Sequence, residues 1–397
     1  MKHLLFITTS SLATNPRLVK EFTFLKTTYK CSVICYRYHD WSLDLSNEIM
    51  KKNTEVNFFV IDRQKRFFST LVSKLVHKMA IIVNPFFKNN ILVASYATND
   101  RTCQLYQVAK KVIKNHKISR VIAHNLPPFY VATALALKND LKLQIDVEDY
   151  HIADPVYFNS KYELENRKRI MNYAFRNADV ITYASEGIGL ECEKNFQINP
   201  EAKTTTVINS FFSNEFLKPE VKEKQPVRLV WFSQNINANR GLEQVFLAAK
   251  NHSTMEFHLI GKVHNDYLER MCPSDNVIFH NPMSQQDLHK FIGTMDIGIA
   301  LEIKETSLNR DICLTNKILA YSQAGLYVLA TDTFGQRRFL SNLDINFGTI
   351  IKSTLSEELN NLNEEFLNYD NRLLRWDNTK QFSYEVEGAH LGKLIIN

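Results

Sequence analysis

Glycine is scarce and unevenly placed: the 397 residues contain 11, and the first of them is Gly187. The opening strand-to-helix turn, Thr8 to Asn15, therefore lacks the glycine fingerprint that lets a backbone approach a dinucleotide pyrophosphate. No Walker loop is present, and the one Gly-x-Gly, Gly187-Ile188-Gly189, runs on to Cys192 where a third glycine would be needed. Nicotinamide and flavin dehydrogenases are disfavoured on that ground. Cysteine is sparse too: Cys31, Cys35, Cys103, Cys192, Cys272 and Cys313 include no Cys-x-x-Cys pair. Zinc-ribbon and thioredoxin chemistry lose their ligands, and a reducing, cytosolic compartment is expected. Long apolar runs are missing as well. None reaches the roughly eighteen residues of a membrane span, and Leu4 to Ile7, after Lys2 and His3, is too short for a signal-peptide core and reads as a buried first strand.

What is present is a globular composition, 45% hydrophobic and 23% charged, with enough chain for one large or two ordinary domains. Charge divides unevenly. Residues 1–215 carry 29 Lys+Arg against 20 Asp+Glu, and the remainder 19 against 22, so the front half is the basic half. Such asymmetry suits an anionic surface or substrate, or simply scattered solvated lysines.

Short apolar runs alternate with helical patterns along the front half: 4–9, 31–36, 56–61, 120–124, 143–148, 179–185 and 205–210 read as strands. Asn15 as N-cap and Pro16 at the first position open the first helix, with Leu18, Phe22 and Leu25 on one face. The stretch 216–227, with two prolines and alternating charges, has linker composition. A second series follows, with strands at 228–233, 256–261, 276–280, 296–302 and 326–332. The fold class expected is α/β, two doubly wound Rossmann-like domains facing across a cleft. Their expected limits are 1–215 for an acceptor domain and 228–375 for a donor domain, with 376–397 packing back on the first.

Several local strings then sharpen the reading. TNKILAYSQAGLYVLATD (315–332), WFSQNINANRGLEQVFLAAK (231–250), HLIGKVHND (258–266), VIFHNPMSQQDLHKFI (277–292), TNPRLVKE (14–21) and IDVEDYH (145–151) together resemble the family 4 glycosyltransferases. The resemblance covers residues 3 to about 390. It implies the two-Rossmann GT-B architecture, a nucleoside diphosphate sugar as co-substrate, no resident cofactor and no metal. Thr315 is placed to cap a helix whose first turn carries Asn316 and Lys317, so backbone amides, helix dipole and an ammonium converge where a diphosphate would sit. By the same resemblance Arg240, beside Gly241, replaces a phosphate-binding lysine and can grip phosphate oxygens bidentately. Gln234 stands where an arginine is common. Gly261 would let the base approach the backbone, and the segment around Pro282 and Met283 would meet the base edge.

In the front domain, Asn15 and Arg17 at the first helix start would face a phosphate of donor or acceptor. His124 and the group Glu148, Asp149 and His151 end consecutive strands and are the candidates for orienting a hydroxyl or acting as base. Asp146 and Glu148 share a strand face. This spacing suggests a metal in other glycosyltransferases but is read here as polar wall. One departure stands out: Ala320 occupies the place of the glutamate that usually binds the donor ribose, leaving Glu302 and Asp311 as substitute carboxylates.

The function implied is retaining transfer of a sugar to a hydroxyl of a saccharide or lipid-linked acceptor, in cell-surface polysaccharide or glycolipid synthesis. A nucleotide-sugar 2-epimerase and a catalytically silent sugar-nucleotide-binding subunit are the alternatives. Residues 63–90 mix Arg63, Lys65, Arg66, Lys74, Lys78 and Lys88 with Phe67, Phe68, Leu71, Leu75, Phe86 and Phe87. This is the pattern of a helix lying on anionic lipid, or of a half-buried helix in a globular domain, the commoner fate of such a pattern. The location expected is cytoplasmic, with peripheral contact at the inner membrane face left open through this segment. No nucleic-acid motif accompanies these basic and aromatic residues, and no nucleic-acid partner is expected.

Overall fold

The computed structural model describes all residues except Lys88, 157–159, 222–225, Asp344 and Asn397. Lys88 of the basic segment and part of the expected linker thus lie outside the described residues. The chain divides into two compact units, Met1–Val207 with Gly388–Asn397, and Ile208–Glu387.

The first unit is a seven-stranded sheet: β1 (His3–Ile7), β2 (Lys30–Arg37), β3 (Asn57–Asp62), β4 (Arg120–His124), β5 (Lys142–Val147), β6 (Val180–Tyr183) and β7 (Lys203–Thr206). Their spatial order is β3-β2-β1-β4-β5-β6-β7, and every pairing is parallel. β1 and β4 are wholly buried, as a parallel sheet covered by helices on both faces requires. The helix Pro16–Leu25 starts where Asn15 Oδ1 accepts from the Leu18 amide, with Pro16 in its first turn. Leu18, Phe22 and Leu25 pack on Leu4, Phe6 and Val33. The last helix returns to this core: Leu391 and Ile395 join the same cluster. The expected strand 205–210 is shorter and earlier, ending at Thr206.

The second unit has β8 (Arg228–Ile236), β9 (Glu256–Val263), β10 (Val277–His280), β11 (Ile297–Ala300), β12 (Tyr327–Ala330) and β13 (Gly348–Ile350), in the order β10-β9-β8-β11-β12-β13, all parallel. Alternate residues serve opposite faces: Leu229 and Trp231 enter one apolar cluster, Val230 the other. The chain enters this unit at Ile208, ahead of the expected linker at 216–227. Phe211 and Phe216 explain the shift, since both are buried in the second unit's core and Phe216 stacks on His289 at 4.4 Å. Gln323 fixes Phe211 further, with its amide oxygen and nitrogen each 2.8 Å from the Phe211 backbone. Residues 376–387 likewise count with the second unit, and the crossing back falls at Gly388.

Strand order reverses at β1/β4 in one sheet and at β8/β11 in the other. Open parallel sheets bind ligands beyond the carboxyl ends of strands at such points.

Candidate functional site

At the β8/β11 reversal the second unit holds a cavity of about 220 Å³. Its wall includes Gly241, Leu301, Glu302, Lys304, Thr331 and Asp332, residues that follow the strand ends. Gly241 has φ +74°, a left-handed turn from which the helix Leu242–Asn251 departs. No side chain among the described residues caps that helix. The helix Asn316–Gln323 is also without a side-chain cap: Thr315 holds the N-cap position, but its buried hydroxyl has no hydrogen-bond partner among the described residues. Thr315 therefore does not perform the expected capping, and both first turns keep amides available to an anion. Elsewhere in this unit Ser284, Ser307, Thr333 and Thr354 cap their helices conventionally.

Lys317 does not stand open to solvent. Its Nζ lies 2.5 Å from Glu302 Oε1 and 6.0 Å from the centre of the Trp231 ring, and both members of the ion pair are mostly buried. Glu302 is fixed from the other side, its amide donating to Thr331 Oγ1 at 2.8 Å. Arg310 Nη1 approaches its second oxygen at 3.9 Å and donates to the Asn239 carbonyl at 3.2 Å. Arg240 is half-buried and has no hydrogen-bond or ion-pair partner among the described residues. Asn316 is held by Asn209, whose amide donates to it at 2.9 Å. Asp311 accepts from the Phe334 amide at 2.9 Å, which commits it to a helix start. Ala320 is buried in an apolar cluster, and the carboxylates that line the cavity are those of Glu302, Glu305 and Asp332.

The outer positions fare differently. Gln234 is exposed on β8, at a bulge between Phe232 and Asn235. A Cβ on Gly261 would sit 2.6 Å from the Ser233 carbonyl oxygen, so the close approach that needs glycine there is that of the neighbouring strand. Met283 packs against the core cluster around Ile260 and Ile292.

In the first unit the ends of β4 and β5 form a buried ionic network. Arg17 Nε and Nη2 each lie 2.7 Å from an Asp146 oxygen, and Nη1 donates to the Val207 carbonyl at 2.5 Å. Arg17 is thus held inside the fold, and the phosphate contact expected of it is replaced by a bidentate pair. Asn15 is likewise consumed locally, capping its helix and donating to Thr8 at 3.3 Å. His124 has no solvent exposure and meets three carboxylates: Glu21 at 2.9 Å, Asp146 at 3.1 Å and Glu148 at 3.1 Å. Burial disfavours its charge, but Asp146, then Glu148 and Glu21, outweigh that and hold its pKa well above the ordinary value. Burial likewise works against the Asp146 carboxylate, and Arg17 and His124 overcome it, holding its pKa far below the usual range. Thr182 donates to Asp146, and Gln144 to Glu21.

Ligand-type atoms of His124, Asp146 and Glu148 lie within 4.8 Å of one another. The set does not suit a metal ion, because a guanidinium occupies Asp146 and the imidazole is held as a cation. Glu148 is the one member of the carboxylate trio with appreciable solvent contact. His151 joins none of this: its Nδ1 pairs with Asp154 at 2.9 Å, and its ring meets Phe129 edge-on. Asp149 is exposed. Glu21, the last residue of the TNPRLVKE string, and Thr182 belong to the network, and neither was among the candidate site residues. A signal for Glu21 existed nonetheless, since Arg17 and Glu21 are four apart on the helix face that also carries Leu18 and Phe22.

No family model matches the chain, and no curated protein does. Solved structures do. An Anabaena protein, Alr3699/HepE, in complex with UDP superposes with a TM-score of 0.68 at 13% identity, covering 100% of both chains. A glycosyltransferase from Rickettsia africae gives 0.67 at 10% identity over 99% of this chain and 97% of the other. Sucrose-phosphate synthase from Thermosynechococcus elongatus gives 0.66 at 9% identity over 100% and 98%. The Anabaena protein also matches in its complex with UDP-glucose. Two parallel sheets of seven and six strands, shared with these structures from end to end, give this chain the GT-B fold of the glycosyltransferases.

Proposed function

We propose that the protein is a retaining glycosyltransferase that moves a sugar from a nucleoside diphosphate donor to a hydroxyl acceptor, in cell-surface polysaccharide or glycolipid synthesis. The observation that carries this reading is the cavity at the β8/β11 reversal. It combines the turn at Gly241, from which the helix Leu242–Asn251 departs without a side-chain cap, carboxylates suited to sugar hydroxyls, and Glu302 as the link to Lys317 of the second uncapped helix. The UDP and UDP-glucose complexes of the Anabaena structure support a uridine donor.

In this reading Arg240 and the amides of the helix Leu242–Asn251 neutralise the departing diphosphate. Lys317, tied to Glu302, positions that carboxylate for the sugar. Glu148 is the acceptor-side group, a carboxylate with solvent access whose other neighbour is the His124 cation. No covalent nucleophile is required, since an oxocarbenium-like sugar can be attacked from the face the diphosphate leaves.

The test is a thermal-shift panel of uridine, guanosine and other nucleoside diphosphate sugars. Donor at about a hundred times its Kd should stabilise the folded protein by about 2.7 kcal/mol. Arg240→Ala should weaken donor binding roughly tenfold or more, the loss of charge-assisted hydrogen bonds worth about 1.5–3 kcal/mol. Glu148→Gln should preserve donor binding while lowering transfer. Anomeric configuration of the product, read by NMR, decides retention. A donor-induced shift that Arg240→Ala leaves intact would remove the phosphate site, and an altered sugar released without acceptor would indicate an epimerase.

A further inference from the structure

The helix Phe67–Val83 is built inside out. Its buried residues are Thr70, Ser73, His77 and Ala80, small or polar and at helical spacing. They supply its contacts: Ser73 Oγ donates to the Asp100 carbonyl at 2.6 Å, His77 Nδ1 meets the Tyr96 carbonyl at 2.7 Å, and Gln104 Nε2 donates to Thr70 at 3.3 Å. The large apolar side chains point the other way. Phe68 is 77% exposed, Leu71 52%, Leu75 57%, Met79 57% and Ile82 69%. At about 100° per residue these five fall in one stripe roughly 80° wide, opposite the buried one. A helix of a globular domain does the reverse, and an exposed apolar patch of this kind marks an interaction surface.

Charge identifies the occupant. No Asp or Glu occurs from Arg63 to Asn99. Lys65, Arg66, Lys74 and Lys78 are exposed and have no acidic partner among the described residues. Lys74 and Lys78 lie along one edge of the stripe. A second copy of this chain docking face to face would bring these cations together at an apolar contact, whereas anionic headgroups above acyl chains satisfy both features. The helix has 17 residues, and no described helix is long and apolar enough to cross a membrane.

We propose that this helix lies in the interface of an anionic membrane, with its Phe68–Leu75–Ile82 stripe among the acyl chains and Lys74 and Lys78 at headgroup level. The surface is independent of the nucleotide cavity and of any transfer activity.

Flotation of the full chain with phosphatidylcholine vesicles, with and without phosphatidylglycerol, tests it. The anionic vesicles should bind at least tenfold more tightly than the neutral ones, and added salt should weaken that binding. Lys74→Gln with Lys78→Gln should weaken it about 30-fold, from about fivefold for each cation near a charged surface. Leu75→Glu with Met79→Glu should abolish it without lowering the melting temperature, since both side chains are exposed. Failure of the wild-type chain to bind anionic vesicles would overturn the proposal. So would undiminished binding by the Leu75→Glu/Met79→Glu variant, or a wild-type dimer that this variant converts to monomer while vesicles capture neither.

Discussion

Replacing Arg17 with methionine strands a buried carboxylate, and the structure allows the cost to be worked out. Arg17 places two nitrogens 2.7 Å from Asp146 and a third on the Val207 carbonyl, with both side chains almost wholly out of water. Breaking a buried pair from one side costs about 3–5 kcal/mol, because the surviving charge has lost its solvent and its partner together. Asp146 would still hold His124 and Thr182, which puts the expected loss near the lower end, about 3 kcal/mol. For a unit of this size each kcal/mol moves the midpoint by about 2–4 °C, so a fall of roughly 6–12 °C is expected. A chain of two units need not unfold in one step, so the readout should be local: hydrogen exchange of the β4 and β5 amides across a urea series. Adding Asp146→Asn should recover part of the loss, since the stranded charge is then gone. A loss under about 1 kcal/mol for Arg17→Met, in a protein with unchanged exchange elsewhere, would refute the claim that this pair is desolvated.

The same network sets a pH response in the first unit. The Asp146 pKa is depressed on folding, so its contribution is present above the ordinary carboxylate range and fades as pH falls through the folded value. The His124 pKa is raised, so its contribution is complete below about 6.5 and fades as pH climbs through the folded value. Urea midpoints from acid to alkaline pH should therefore show a plateau between the ordinary carboxylate range and about pH 6.5, followed by a decline at higher pH that His124→Gln removes. Gly261→Ala, which places a Cβ against the Ser233 carbonyl at a backbone conformation L-residues avoid, should cost the second unit about 1–3 kcal/mol. Its nucleotide affinity per folded molecule should not change. Glu302→Gln should leave Lys317 charged but no longer neutralised, and UDP alone should then bind more tightly by calorimetry while the sugar-bearing donor gains less.

The alternation of apolar runs and helical patterns was enough to place both sheets, because a strand buried on two faces must be apolar throughout and a capped helix announces its start. Eleven of the strands are legible in this way; Lys203–Thr206 is a polar edge strand displaced from the expected run, and Gly348–Ile350, an edge strand of three residues, carries too short a run to register. The candidate site was only partly legible. Arg240, Gly241 and Lys317 were singled out by resemblance, yet the pairing of Lys317 with Glu302 joins residues from a strand end and a later helix, and no local pattern encodes it. Arg17 shows the same limit more sharply. At a helix start it read as an anion-binding cation, and the anion turned out to be Asp146, 129 residues away.

What the sequence determined alone is the local register: which residues alternate, which begin helices, and where glycine is absent and a dinucleotide turn therefore excluded. The inverted helix Phe67–Val83 was readable as amphipathic, but periodicity defines two faces without saying which one meets protein. Only the tertiary structure decided that, because Ser73, His77 and Thr70 found backbone carbonyls and a glutamine to bond and so made the polar face the buried one. It also decided the charge state of His124, which depends on three carboxylates brought from separate parts of the chain into a site without water.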